Sequence, residues 1–277
     1  MSFILFDQVS FRYPEDPDDK FVLTEIHLNI CSGEFLTIVG ANSSGKSTLG
    51  RLMNALILPT IGSVFVNGLD TTDPQNTIPI RKQIQMIFQN PDNQIVATTV
   101  EEEVAFGPEN LCLPTDEIVE RVDEALKITD LLQYREYPSH LLSGGQKQLL
   151  AIASVLAMKP SCIIFDEPTS LLDPLSRKMV INKVLELKEK KITVILITHK
   201  MEEVLLSDRV LVLKEGHIEM DTTPLKLFSS PIEELISVNL YPPEIMQIIS
   251  SLKEKGIQIP PEIISSKNLV SFLCQST

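Results

Sequence analysis

Four apolar runs, Phe35–Val39, Ile84–Phe88, Cys162–Phe165 and Val194–Ile197, show no polar alternation. Unbroken runs of this length predict strands buried on both faces, as in a parallel sheet. Between them, apolar residues recur at helical spacing: Leu49, Leu52, Met53 and Leu56 in the segment 49–58, then Ile118, Val122 and Leu126 in 115–132. Leu150, Ile152, Ala153 and Leu156 repeat the pattern in 147–158. Strands alternating with amphipathic helices predict an α/β chain. Ile4–Val9 and Val22–Ile30 alternate instead, so each is predicted to be a strand with one polar face, separated by the acidic turn Pro14–Asp19. Pro59–Gly62 stops the first helix, Ser63–Val66 reads as a strand ending in Asn67-Gly68, and 210–213 pairs with 217–220 around Glu215-Gly216 as a hairpin. Thr115 and Asp116 are placed to cap the helix that follows them.

From Pro224 the texture changes to short helical pieces, with Pro-Pro-Glu-Ile at Pro242–Ile245 and again at Pro260–Ile263. Two proline-led helix starts account for the repeat. Ile245, Ile248, Ile249 and Leu252 form one apolar face. The expected organisation is one large domain over 1–223 and a small C-terminal domain over 224–277.

Composition narrows the class. Apolar residues make up 43% of 277, enough for a large core, and no apolar run approaches the ~18 residues of a membrane span. The N-terminus lacks the basic region of an export signal, so a chain that stays inside the cell is expected. Cys31, Cys112, Cys162 and Cys274 are far apart and suggest neither a zinc site nor a disulfide framework. A net charge of −13 opposes nucleic-acid binding.

The chemistry concentrates at the ends of the apolar runs. Gly40-Ala41-Asn42-Ser43-Ser44-Gly45-Lys46-Ser47-Thr48 lies between a strand and a helix, the context of a phosphate-binding loop. Glycines let backbone N–H groups close around a polyphosphate, and the helix N-terminus adds favourable partial charge. Lys46 would reach the β- and γ-phosphates and the Ser47 hydroxyl would ligate Mg²⁺. Leu142-Ser143-Gly144-Gly145-Gln146 opens a second helix with glycines and a hydroxyl, and is a second candidate phosphate site. Asp166 and Glu167 end an apolar strand, which places one carboxylate to hold Mg²⁺ and the next to orient or deprotonate a water. Gln89 and His199 end two further strands; taken alone, a Gln there is usually only a loop residue and a His more often structural than catalytic, though carboxyl ends of parallel strands are where α/β sheets gather ligands. Tyr13 is either a platform for an adenine or a half-buried strand aromatic.

The ordered set Gly40–Thr48, Gln89, Leu142–Gln146, Ile163–Glu167, Ser170–Asp173 and His199 resembles the ATP-binding subunits of ABC transporters, over roughly residues 1–220. In that family these are the Walker A loop, Q-loop, signature loop, Walker B strand, D-loop and switch histidine. The resemblance implies a P-loop NTPase fold: a RecA-like core, an antiparallel β subdomain, and a helical signature subdomain over about 90–160. It implies ATP and Mg²⁺ as cofactors, with Ser47, Gln89 and Asp166 at the metal. Glu167 would be the general base, His199 and Gln89 its catalytic partners, and Tyr13 the adenine platform. It also resolves the surplus phosphate site, because family members form head-to-tail dimers. Ser143, Gly145 and Gln146 would contact the partner's nucleotide, and Asp173 would communicate across the interface.

Phe88–Gln94 running into Thr99–Asn110 is similar to the energy-coupling-factor ATPases, the cobalt and vitamin branch of ABC importers, and most like the first of their two paralogous ATPases. That likeness implies a paralogous ATPase partner, an integral membrane coupling subunit and a substrate-binding membrane subunit. It places the chain at the cytoplasmic side of a prokaryotic cell membrane, as a peripheral protein. The acids Glu101–Glu103 are expected to pair with arginines of the membrane partner. The chain departs from the family pattern at Ser43, where glycine is usual and which would be strained at positive φ, and at Leu149, where arginine is common and a charge near the dimer contact would be lost. Soluble ABC ATPases acting on nucleic acid or ribosomes are the alternative. The single cassette, the lack of a heptad run between Lys46 and Ser143, and the acidic charge all oppose it.

Overall fold

The computed structural model describes residues 2–15, 18–230, 232–260, 263 and 266–275. Its first half runs β1 (Ser2–Phe11), β2 (Leu23–Cys31), β3 (Phe35–Gly40), α1 (Lys46–Met53), β4 (Ile61–Val66), β5 (Leu69–Asp70), α2 (Thr77–Gln83) and β6 (Ile84–Ile87). Helices α3 (Val100–Asn110), α4 (Thr115–Ile128) and α5 (Gly144–Ala157) lead to β7 (Cys162–Asp166), α6 (Pro174–Glu189), β8 (Thr193–Ile197), α7 (Met201–Val204), β9 (Arg209–Lys214) and β10 (His217–Thr222). Four helices close the described chain: α8 (Pro224–Ser229), α9 (Ile232–Ser237), α10 (Glu244–Glu254) and α11 (Ser266–Gln275).

The alternating segments pair into an antiparallel sheet of order β2-β1-β4-β5. The apolar runs form β3, β8 and β7 inside a second sheet and β6 at its edge, in the order β10-β9-β3-β8-β7-β6, in which β9, β3, β8, β7 and β6 are parallel. Every residue of β3, β7 and β8 is buried, as their composition predicts. Successive side chains alternate between two cores. Ile164, Ile195 and Ile197 join Leu49, Leu52 and Met53 of α1 and the inner face of the antiparallel sheet. Ile163, Phe165, Val194 and Leu196 face the other way, into Val104, Leu126, Leu150 and Ile152 of the helical layer. The α/β P-loop architecture with its antiparallel and helical subdomains is therefore as expected.

Three local expectations shift. Helix α1 stops at Met53, because Ala55 takes a left-handed φ of 53° and closes the helix well before Pro59. Helix α4 begins without a side-chain cap: Pro114 occupies the cap position, and Thr115 and Asp116 are already helical. Helices α2 and α6 have no counterpart in the pattern reading. In α2 only Ile80 is buried, so it carries no periodic signal. In α6 the signal existed, since Asp173-Pro174 is a cap followed by proline at the first helical position and Val180, Val184 and Leu187 recur at helical spacing.

The change of texture at 224 coincides with α8, whose Thr223 caps it through Lys226 N. Leu227, Phe228, Leu235, Val238 and Leu240 pack against Val39, Val210 and Val212 of the parallel sheet. Ile249, Ile259 and Leu269 make a separate small core. The first Pro-Pro-Glu-Ile does start a helix, α10; Pro261 and Glu262 of the second lie outside the described residues. On α10 the expected apolar face is split, with Ile249 buried and Ile248 exposed.

Candidate functional site

The loop after β3 turns into α1 through Gly45, whose φ of 102° is open to glycine alone. A Cβ there would also lie 2.6 Å from the Leu23 side chain and 3.0 Å from the Val22 carbonyl. Ser43 takes a left-handed φ of 64°, the condition under which its departure from glycine strains the loop. Lys46 is buried, and its ammonium donates to the carbonyls of Gly40 at 3.0 Å and Ala41 at 2.8 Å. Burial lowers its pKa, with the nearby Glu167 and Asp166 charges opposing. Ser44 Oγ is buried without a partner inside this loop.

Ser47 Oγ donates to Asp166 Oδ1 at 2.9 Å, from the first turn of α1 to the end of β7. Burial raises the Asp166 carboxyl above its ordinary value, against the pull of the Ser47 hydrogen bond. An open cavity of about 580 Å³ lies over these groups, lined by Tyr13, Val22, Asn42, Ser43, Gly45, Lys46, Ser47, Thr48, Gln89 and Glu167. Tyr13 meets Phe11 edge-on with centroids 4.9 Å apart, and its hydroxyl is 3.1 Å from Thr48 Oγ1. Its ring thus packs on a strand aromatic and also borders the cavity.

Because β6, β7 and β8 are parallel neighbours, their carboxyl ends deliver three side chains to one point. Glu167 follows β7 with a left-handed φ of 50°. Its Oε2 accepts from Gln89 Nε2 at 3.4 Å and lies 3.3 Å from His199 Nδ1. Gln89 also donates to Ser170 Oγ at 3.1 Å. The loop carrying Gln89 is closed by Gln94, which accepts from Phe88 N, and is tied to α5 by the Asp92–Lys147 ion pair at 2.7 Å. The sequence placed Gln94 in a segment of family likeness but gave neither it nor Lys147 a role, because each works through a contact made only in the fold.

The glycine-rich start of α5 forms a second, separate feature. Ser143 and Gln146 make a reciprocal capping box, in which each side chain accepts from the other's backbone N–H. Asp173 caps α6 by accepting from Leu175 N and Ser176 N, and the Ser176 bond holds its carboxyl below the ordinary value. A Cβ on Gly145 would lie 2.5 Å from Ser176 Oγ, so the two helix starts pack edge to edge only because that residue is glycine. None of Ser143, Gly145, Gln146 or Asp173 lines the cavity over Lys46.

One expectation is corrected in part: Glu103 is buried and does not present its carboxylate to a partner, whereas Glu102 stays exposed and Glu101 half-exposed. Glu101, Glu102 and Glu103 are engaged within the chain. Glu103 is buried and accepts from Val96 N at 2.8 Å and Ala97 N at 2.9 Å. Glu102 completes the α3 capping box with Thr99, and its carboxyl is held low by a hydrogen bond from Thr98. Glu101 pairs with Arg135 at 2.8 Å. Leu149 is buried in the helical core.

The donor sets match their ligands. A glycine-opened loop at a helix N-terminus, a lysine held only by loop carbonyls and an orphaned serine hydroxyl suit a polyphosphate. A hydroxyl beside a buried carboxylate is the all-oxygen pair that a hard divalent ion takes alongside phosphate oxygens.

Fold and site together define a P-loop ATPase of the ATP-binding-cassette class. The ABC transporter family model matches residues 23–170. The energy-coupling factor transporter ATP-binding protein EcfA1 of Clostridium novyi is 49% identical over 269 residues, covering 96% of each chain. Its namesake from Caldanaerobacter subterraneus is 48% identical, covering 99% of this chain and all of that one. Among solved structures, cbiO1 of Clostridium perfringens, part of the ABC transporter complex cbiONQ, superposes with a TM-score of 0.77 at 34% identity, over 90% of this chain and 99% of that one. The dimeric ATP-binding cassette MJ0796 bound to ADP and Pi matches with a TM-score of 0.71 at 29% identity, over 80% of this chain and 98% of that one. This chain belongs to the ABC transporter ATP-binding family and, within it, to the energy-coupling-factor ATP-binding proteins.

Proposed function

We propose that the chain is the ATP-hydrolysing subunit of an energy-coupling-factor importer, powering uptake of a vitamin or transition-metal ion. The observation that carries this is the convergence of Gln89 and His199 on Glu167 at the rim of the Lys46 cavity. Lys46 exchanges its two loop carbonyls for the β- and γ-phosphates, and the N–H groups of the loop hold the remaining oxygens. Ser47, Asp166 and Gln89 would hold Mg²⁺, which would supply charge neutralisation at the phosphate oxygens. Glu167 takes the proton of the attacking water, while His199 and Gln89 fix that water and the γ-phosphate. Tyr13 stacks on the adenine.

Ser143, Gly145 and Gln146 serve the nucleotide of a second, paralogous ATPase in a head-to-tail dimer, and Asp173 couples the two sites. Their separation from the cavity over Lys46 supports this reading, as does the dimeric state of the related cassette bound to ADP and Pi. Among the described residues no helix is long and apolar enough to cross a membrane, so the solute path belongs to integral membrane partners. The cbiO1 relative is itself part of a transporter complex. Chains of this class would sit on the cytoplasmic face of the membrane, against a coupling subunit and a substrate-binding subunit, with no nucleic acid.

The test is affinity purification of the tagged chain from solubilised membranes, with identification of every co-purifying protein. Recovery of a second ATPase with an integral membrane subunit is the expected result. Recovery alone, or with ribosomes or DNA, overturns the transport reading and leaves the ATPase standing.

A further inference from the structure

Glu203 lies four positions after His199, on α7, and is 4% exposed in a place where a carboxylate normally avoids burial. Its two oxygens accept from two different loops. Thr169 Oγ1 donates to Oε1 at 2.5 Å and Thr198 Oγ1 donates to Oε2 at 2.6 Å. Thr169 stands two residues after Glu167, and Thr198 immediately precedes His199. Lys200 closes the assembly: its ammonium donates to the Thr169 carbonyl at 2.5 Å and hydroxyl at 3.0 Å, and its backbone N–H to Thr198 Oγ1 at 3.1 Å. Both threonines are buried, with 1% and 2% exposure, so water does not replace these bonds.

The chemistry requires a carboxylate. Each threonine oxygen already accepts from Lys200, so each hydroxyl proton must find an acceptor elsewhere. Only an ionised carboxylate presents one acceptor oxygen to each of two donors; an amide presents one acceptor and one donor. The bonds are also charge-assisted in a dry setting, which strengthens them.

We infer that Glu203 is a positioning residue for ATP hydrolysis: it clamps the loop that carries Glu167 to the loop that carries His199. Beyond the clamp, the two loops share the hydrogen bond from Glu167 N to Ile197 O at 2.9 Å. Glu167 also holds a left-handed φ, a conformation that persists only where the surroundings fix it. The inference rests on Glu167 being the general base.

The experiment compares Glu203→Gln, Glu167→Gln and the double variant of the full-length chain in its purified complex. It reads kcat and KM for MgATP and the affinity for a fluorescent trinitrophenyl-ATP. Misplacing a catalytic group by about 1 Å costs up to ~10²-fold, so Glu203→Gln is expected to lower kcat by roughly 10–100-fold. KM and nucleotide affinity should stay within about twofold, because Lys46 and its loop are untouched. In the Glu167→Gln background the Glu203 change should add little, since there is no base left to position. A merely structural carboxylate would give the same fold-loss in both backgrounds, or lose nucleotide affinity together with kcat; either result overturns the clamp. Wild-type turnover of Glu203→Gln overturns it as well, with the base assignment intact provided Glu167→Gln is slow. Undiminished turnover of Glu167→Gln overturns the base assignment and the clamp with it. Should Glu203→Gln not fold, Thr169→Val removes one donor, keeps the branched shape and is read by the same criteria.

Discussion

The Ser47 hydroxyl and the Asp166 carboxylate are 2.9 Å apart, joining the phosphate loop to the strand that carries the acidic pair. Asp166 is buried with its pKa raised, so the folded chain binds that proton more readily than the unfolded chain does. The resulting penalty is full at neutral pH and shrinks as pH falls through the folded value toward the unfolded one. Asp166→Asn in the nucleotide-free protein is therefore expected to melt at or above the wild-type temperature at pH 7, with the difference closing in acid. ATP turnover should be lost. A melting temperature below wild type at neutral pH would contradict this account.

Glu167→Gln keeps the shape of the side chain and removes its basicity. General-base catalysis contributes about 10²–10⁴-fold, and turnover should fall by that order. ATP should remain bound, because Lys46, Ser47 and Asp166 are intact. Phosphate release and retained nucleotide, measured on one sample, separate a lost base from a lost site.

At φ of 64°, Ser43 tolerates neither a branched side chain nor a larger Cβ substituent without cost. Ser43→Val is expected to destabilise by about 1–2 kcal/mol and to weaken ATP binding. Ser43→Gly relieves the strain but frees the unfolded chain, so its net effect should lie within about 1 kcal/mol of zero. Urea unfolding with and without ATP distinguishes the two variants.

Glu103 is 4% exposed and accepts from the N–H groups of Val96 and Ala97, and a hydrogen bond to a charged group contributes about 1.5–3 kcal/mol. Glu103→Ala is expected to destabilise the chain by about 2–4 kcal/mol on that basis. Glu101 is more open, and its pair with Arg135 contributes about 1 kcal/mol or less. Equal stability losses for Glu101→Ala and Glu103→Ala in chemical denaturation would be incompatible with these different burials.

The strand ends were legible from sequence because a strand buried on both faces leaves an uninterrupted apolar run, and polar residues appear only where it emerges. Gln89, Asp166, Glu167 and His199 were singled out at such ends and Lys46 and Ser47 through the glycine-rich loop, with their order along the chain supplying what no single motif could. Glu103 was misread, because an acid at a helix start looks solvent-facing until the preceding loop folds over it.

Sequence by itself determined the strand-loop-helix of the candidate phosphate loop, the alternation of the two sheets and the position of the acidic pair at a strand end. These are local: backbone geometry, side-chain period and residue type settle them within a few positions. That Gln89, Glu167 and His199 act together was implied by the resemblance alone; the tertiary structure supplies the cause, because neighbouring parallel strands bring together residues far apart in the chain. Tertiary structure alone decided that Glu203 joins Thr169 to Thr198 and that Gly145 must admit Ser176. A pairing between distant segments leaves no periodic trace, since either partner without the other is an ordinary polar or small residue.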